Sequence, residues 1–170
     1  VSDAGMPGIC DPGEDITKSV KSEGIDIICV PGACAAITAL VSSGLPSSRF
    51  VFEGFLPKKK IDRDKILLEI SKNQKTTIVY ESPKRLKKLL GELFDFCGGD
   101  REIMVSRELT KKFEEHVGNN INEVIEFFSD KQIIGEITIV LKGIKTKDSV
   151  SDKLLIKKDL DDLINAGLSL

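Results

Sequence analysis

The chain has 170 residues, 41% of them hydrophobic and 31% charged, with a formal net charge of −2. That balance is the one expected of a globular chain with a core to build, and it excludes a disordered or fibrous polymer. No apolar run nears the roughly 18 residues of a membrane span and the first residues carry no signal-like stretch, so the chain reads as cytoplasmic, with no membrane partner.

The opening VSDAGMPGICDPG holds three glycines and two prolines, which makes it a turn-rich loop following a strand end at Val1 and Ser2. EDITKSVKSEG sets Ile16 and Val20 four apart and closes on Gly24, predicting a short amphipathic helix. IDIICV is expected as a buried strand, with Cys29 acting as a small hydrophobe inside it. Pro31 and Gly32 then turn the chain into a small-residue helix, ACAAITALVSSG, that stops near Gly44. RFVFEGFLPKKK is aromatic and β-branched and predicts a strand running into a basic loop. Helix DRDKILLEISKN, strand TTIVYE, helix SPKRLKKLLGELFDF, strand EIMVSREL, helix NINEVIEFF and strand GEITIVLKG follow in turn. Strands alternating with helices define an α/β chain.

A boundary is expected at the turn from Pro46 to Arg49. It separates residues 1–46, the carboxyl-terminal part of a first α/β domain, from a second α/β domain at 47–144. Residues 145–170 follow as a charged linker and the start of a small helical module. Both ends look cut: the first domain is read as incomplete and the chain as a piece of a longer reading frame.

The four cysteines lack CxxC spacing and are expected to be reduced and structural. A single histidine, His116, in the polar stretch KKFEEHVGNN, leaves no His-rich metal site, and no metal is expected. The near-neutral total hides basic clusters at Lys58, Lys59, Lys60 and Arg63, at Lys84, Arg85, Lys87 and Lys88, and at Arg107, Lys111 and Lys112. Such clusters leave local basic surfaces open to nucleic acid despite the near-neutral total.

Turn glycines and small residues coincide at strand ends in SDAGMPG, VPGACAA and GEIT. In α/β proteins ligands gather at the carboxyl ends of strands, where glycine admits the backbone and helix N-termini offer free N–H groups. Neither GxGxxG nor GxxxxGK[ST] is present, so a backbone-lined pocket for a ligand such as S-adenosylmethionine stands against the alternative of ordinary tight turns. Glu81 in YESPKR, and Arg107 with Glu108 in RELTKKFEE, put charge at the end of an apolar strand. Such charge is costly there unless it is paired or used.

Six motifs in order, VSDAGMPGICDPG, VPGACAAITALVSSGLP, FEGFLPKKK, YESPKRL, SRELTKKFEE and GEITIVLKG, resemble the ribosomal RNA small-subunit methyltransferase I family, which has the wider tetrapyrrole-methylase fold. The resemblance runs from residue 1 to about 143, and DLDDLINAGLSL is similar to the start of that family's helical C-terminal module. It implies a two-domain tetrapyrrole-methylase-like architecture whose first strand and glycine loop would precede Val1. It also implies S-adenosylmethionine-dependent 2′-O-methylation of a cytidine in 16S ribosomal RNA, with the 30S subunit as partner and a homodimer as the working form. The implied cofactor walls are Asp3, Ala4, Gly5 and Pro7; Pro31, Gly32, Ala33 and Ala35; Phe55, Leu56 and Pro57; and Gly135, Glu136 and Ile137. Glu81, Glu108 and Lys111 are the candidates for the group that takes the hydroxyl proton. Lys58, Lys59, Lys60, Arg63, Arg85 and Arg107 would hold RNA phosphates.

The family usually has Thr at position 6, Ser at 10 and Pro-Ser at 33–34, where this chain has Met6, Cys10, Ala33 and Cys34. The alternatives are a tetrapyrrole-directed or protein-modifying methylase of the same fold, which would want a deep apolar pocket, and a non-catalytic RNA-binding fragment.

Overall fold

The computed structural model describes residues 5–145. Asp3 and Ala4, the strand end at Val1 and Ser2, and the helix expected near the carboxyl end lie outside the described residues.

The order of elements is α1 (Glu14–Ser22), α2 (Ala35–Ser43), β1 (Phe50–Phe55), α3 (Lys60–Lys72), β2 (Thr76–Glu81), α4 (Pro83–Cys97), β3 (Glu102–Arg107), β4 (Glu115–Asn120), α5 (Ile121–Phe128) and β5 (Ile137–Leu141). The strands form one five-stranded sheet in the order β1-β2-β5-β3-β4. β1 and β2 are parallel, and the remaining pairings are antiparallel.

Alternation along the central strands sends side chains to opposite faces. Val79, Ile137, Ile139, Leu141, Ile103 and Val105 meet Leu67 and Ile70 of α3, Leu86, Leu89, Leu90 and Leu93 of α4, and Val124 and Phe128 of α5. Ile78 and Val140 face the other way and pack on Ala36, Ala39 and Leu40 of α2. β5 is buried along its whole length because helices cover both of its faces. Local chemistry sets the ends of the helices. Pro83 opens α4, the Asn120 side chain accepts from the Glu123 N–H at 3.0 Å to cap α5, and Gly44 closes α2 in a left-handed conformation at φ 67°.

Two expectations fail. IDIICV is not a strand: Ile28 is 88% exposed and Cys29 is exposed, because no described strand lies beside the segment to take its backbone hydrogen bonds. Conversely, the polar stretch containing His116 holds strand β4, which pairs with β3 from Glu102↔Asn120 to Arg107↔Glu115. As an edge strand β4 buries only Val117, so its sequence carries no apolar alternation to read. α1 forms as expected but buries none of its residues, with Ile16 69% exposed.

Candidate functional site

The carboxyl ends of β1 and β2 and the start of β5 converge on a cleft of about 370 Å³. That is within the roughly 300–1,000 Å³ of small-molecule sites. One wall is the glycine loop, represented by Met6, Ile9, Cys10 and Asp11, and a second is Ala33, Cys34 and Ala35 at the start of α2. Phe55, the chain from Tyr80 to Pro83 and the chain from Glu136 to Thr138 complete it.

Backbone contacts seat the loop. The Met6 N–H donates to the Ala33 carbonyl at 2.8 Å, and Gly5, at φ 76°, lies so close to that carbonyl that a Cβ would collide with it. Farther along, the bulge in β1 between Phe52 and Gly54 puts Gly54 at φ 62° under Cys10, where a Cβ would meet the Cys10 Sγ at 2.8 Å. The glycines answer to chain packing against chain, and the smooth wall they leave faces the cleft.

Tyr80 is the residue that ties the cleft to the sheet. Its hydroxyl accepts from the Ala36 N–H at 3.0 Å, capping a donor in the first turn of α2, whose Cys34 N-cap makes no side-chain cap of its own. Its ring packs edge-on against Phe52 at 5.0 Å and lies 5.7 Å from Phe55. Burial, reinforced by neighbouring Cys34, pushes the phenol up to about 12. It is therefore a neutral phenol at physiological pH. The N-terminal turns of α2 and α4 both open on this cleft, a setting that favours an anionic group.

Of the residues expected to hold a cofactor, Ala33, Ala35, Phe55, Glu136 and Ile137 line the cleft. Gly5 and Gly32 stand behind it, Gly32 against Met6 of the loop, while Pro7 and Pro31 are exposed outside its lining. Leu56 is a correction: it is 2% exposed and belongs to the core on the α3–α4 face, because the residue after Phe55 points to the opposite side. Pro57 sits beside that core and its carbonyl accepts from the Arg63 Nη1 at 3.4 Å. Gly135, at φ 91°, abuts the Glu108 side chain so closely that a Cβ would clash, which makes it a seat for Glu108 and not a wall.

The proton acceptors are corrected as well. Glu81 lies on the core face of β2 with its carboxylate fully buried; Oε1 accepts from the Ser82 N–H at 2.8 Å and pairs with the Arg85 Nη2 at 2.7 Å, while Oε2 is 3.5 Å from the Arg63 Nη2. Arg63 completes the network on Glu92 at 2.7 Å. A carboxylate held by two guanidinium groups pins α3 and α4 to the end of β2 and is poorly placed to take a proton. For the same reason Arg63, 4% exposed, is a core residue and not a phosphate contact.

Glu108 takes a left-handed backbone conformation at φ 52°, and its Oε1 accepts from the Glu136 N–H at 2.9 Å and from the Lys111 Nζ at 2.9 Å. The Glu136 N–H, and after it Lys111, hold the Glu108 carboxyl below the ordinary range. Lys111 also reaches Glu136 at 3.1 Å and is drawn above its ordinary value by the hydrogen bonds to both carboxylates. A lysine held charged is the wrong form for a base, so Lys111 is corrected to a clamp on the cleft rim.

Arg107 bonds Glu115 at 3.0 Å and the Ile134 carbonyl at 3.2 Å, tying β3 to β4, and its side chain is only 18% exposed. That placement corrects it from an open phosphate contact to a structural tie. Arg85 stays partly accessible beside the cleft, and Lys58, Lys59 and Lys60 are exposed just beyond Phe55. Sequence reasoning missed Tyr80, Ser82 and Thr138. Tyr80 is the only tyrosine in the chain and ends an apolar strand one residue before Glu81, which was the signal available.

An α/β sheet with a cleft at the carboxyl ends of its parallel strands, walled by a glycine loop, is the arrangement in which open α/β sheets take up small ligands. Residues 1–125 match the family described as Tetrapyrrole (Corrin/Porphyrin) Methylases, and the chain belongs to that family. It is 45% identical to the Ribosomal RNA small subunit methyltransferase I of Bacillus subtilis (strain 168), over 98% of this chain and 59% of that protein. It is 40% identical to the protein of the same name from Synechocystis sp., over 99% of this chain and 61% of that protein. The chain thus spans about three-fifths of these relatives. Among solved structures, a cobalt precorrin-4 methyltransferase of cobalamin biosynthesis superposes with a TM-score of 0.61 at 18% identity, over 81% of this chain and 61% of that one. Uroporphyrin-III C-methyl transferase from Thermus thermophilus, complexed with S-adenyl homocysteine, gives 0.55 at 17% identity, over 81% and 62%. These two likenesses establish the tetrapyrrole-methylase fold.

Proposed function

We propose that the chain serves S-adenosylmethionine-dependent methylation of small-subunit ribosomal RNA, at the 2′-hydroxyl of a cytidine. The observation that carries this reading is the cleft at the carboxyl ends of β1 and β2, bounded by the loop at Met6 to Asp11 and by the first turn of α2. The names of the relatives at 40–45% identity supply the RNA. The structure of a related fold with S-adenyl homocysteine supplies the cofactor class.

The donor set fits such a cofactor. A cradle made by Ala33, Cys34 and Ala35 presents small side chains and main-chain groups to a flat adenosyl group, with Met6 and Ile9 of the loop as an apolar wall beside it. The turns of α2 and α4 favour the carboxylate of its amino-acid end. When bound, the cofactor supplies a methyl group on a sulfonium, which an oxygen nucleophile displaces in line. The protein's part is to align the ribose and to receive its proton.

With Glu81 and Lys111 removed from that last role and Glu108 already engaged, the carboxylates that the cleft itself presents are Asp11 and Glu136. Lys111 orients Glu136, and Tyr80 holds the α2 wall in place. Lys58, Lys59 and Lys60 stand where an RNA strand would approach, and their contacts are salt-sensitive. A homodimer and a cytoplasmic site of action belong to the same reading.

The test is transfer from methyl-labelled S-adenosylmethionine to small ribosomal subunits lacking the modification, followed by nuclease digestion. The expected result is label on a cytidine ribose. Label on a tetrapyrrole precursor, with none on RNA, would overturn the reading in favour of the family's other chemistry.

A further inference from the structure

The strands whose carboxyl ends build the cleft begin at a second hollow, of about 650 Å³. Its walls are the approach to β1, the turn between α3 and β2, and the chain leaving β5. Arg49, Lys72, Lys75, Lys142 and Lys145 line it, and among the described residues no carboxylate does. Lys142 is paired with Glu102; the other four have no ion pair among the described residues. In a chain of net charge −2 such a concentration does not follow from composition.

The walls are fixed to one another. The Ile144 N–H donates to the Asn73 carbonyl at 2.8 Å, and the Thr76 hydroxyl donates to the Pro46 carbonyl at 2.6 Å. Arg101 joins the carbonyls of Lys142 and Ser71, each at 2.9 Å. Gly143 packs so tightly on the Gln74 backbone that a Cβ has no room. Like charges held together in a concave surface repel, and an anion that enters relieves the repulsion while the walls focus the field on it.

The hollow is the length of β2 away from the cleft, roughly 17–20 Å for six residues of strand. That is too far for one small ligand to touch both. It is within the reach of one RNA segment. We propose that this hollow binds the phosphate backbone of the RNA whose nucleotide enters the cleft, giving the substrate a second, sequence-independent hold at the opposite end of the sheet. This inference rests on the RNA reading of the proposed function.

The experiment follows binding of a fluorescent single-stranded oligoribonucleotide by anisotropy across a salt series. It compares the full chain with Arg49→Ala/Lys72→Ala/Lys75→Ala and with Lys18→Ala/Lys21→Ala, whose changes lie on the exposed α1. The triple variant is expected to bind more weakly at low salt, with a slope of log K against log salt shallower by about 2, at roughly 0.7 for each lost single-strand phosphate contact. The α1 variant keeps the slope of the unaltered chain, and thermal melts of all three coincide because the altered side chains carry surface charge.

RNA binding by the unaltered chain with an unchanged slope in the triple variant overturns the hollow and leaves the proposed function standing. No RNA binding by the unaltered chain overturns both, and the methyl-transfer assay then shows which substrate replaces RNA. Inorganic phosphate, added at constant ionic strength, is expected to compete weakly. If it abolishes the difference between the triple variant and the unaltered chain, the hollow is a small-oxyanion site and the RNA assignment falls.

Discussion

IDIICV at 25–30 and TTIVYE at 76–81 are both six-residue runs rich in β-branched residues, yet they end in opposite environments. Ile28 is 88% exposed, whereas Ile78 is completely buried. TTIVYE has a strand on each side, β1 and β5, and a helical layer on each face. IDIICV has neither among the described residues. The difference teaches that β-propensity states what a segment can be, while its hydrogen-bonding neighbours decide what it is.

The largest effect expected of a single substitution falls at the end of the paired run. Glu81→Ala removes the carboxylate between Arg63 and Arg85, leaves buried Arg63 with Glu92 as its one carboxylate, and is expected to destabilise by about 3 kcal/mol, read by chemical denaturation. Arg63→Met/Glu81→Leu, which removes both charges, should recover most of that loss. If the double variant is as unstable as the single, the network is not an ion pair in balance with its own desolvation.

Next in size is the contrast between the cores. Leu89→Ala, at a fully buried position of α4, is expected to cost roughly 2–5 kcal/mol through a cavity. Ile28→Ala should stay within about 0.5 kcal/mol, the range of an exposed site. Comparable losses for the two would mean that the 25–30 segment is covered in solution and that the comparison between the runs is wrong.

Much of the architecture from Phe50 onward was legible because β1, β2, β3 and β5 are apolar runs bounded by turn residues and the helices between them bury leucines and isoleucines. RFVFEGFL, TTIVYE, EIMVSREL and GEITIVLKG are all strands, and the three helices between them follow the apolar spacing. β4 was not legible, because an edge strand with one buried residue has no pattern to show. In the candidate site, the glycine loop and the Ala33 to Ala35 wall were legible from residue size. The fates of Glu81 and Arg63 were not. They are 18 residues apart in sequence, and only the packing of α3 beside α4 shows that both belong to one buried charge network with Arg85 and Glu92. Leu56 escaped for a simpler reason: a one-residue shift along the chain moves a side chain to the other face.

Tyr80 sharpens the comparison at the smallest scale, since it is what β2 gains from its α2 neighbour. Burial favours the neutral phenol, so its folded value of about 12 lies above the ordinary 10.0. Protonation is then tighter in the folded state, and the stabilisation is fully present below pH 10 and lost as pH rises from 10 toward 12. With a single tyrosine and no tryptophan in the chain, phenolate absorbance reports this one group without interference. The expected titration has its midpoint near 12 in the native chain and near 10 in denaturant. A native midpoint near 10 would mean that water reaches the hydroxyl and that α2 does not stay packed over the end of the Tyr80 ring, since burial is the main cause of the upward shift. The α2 wall would then be free to move relative to β2, and the cleft it bounds would lack a fixed width.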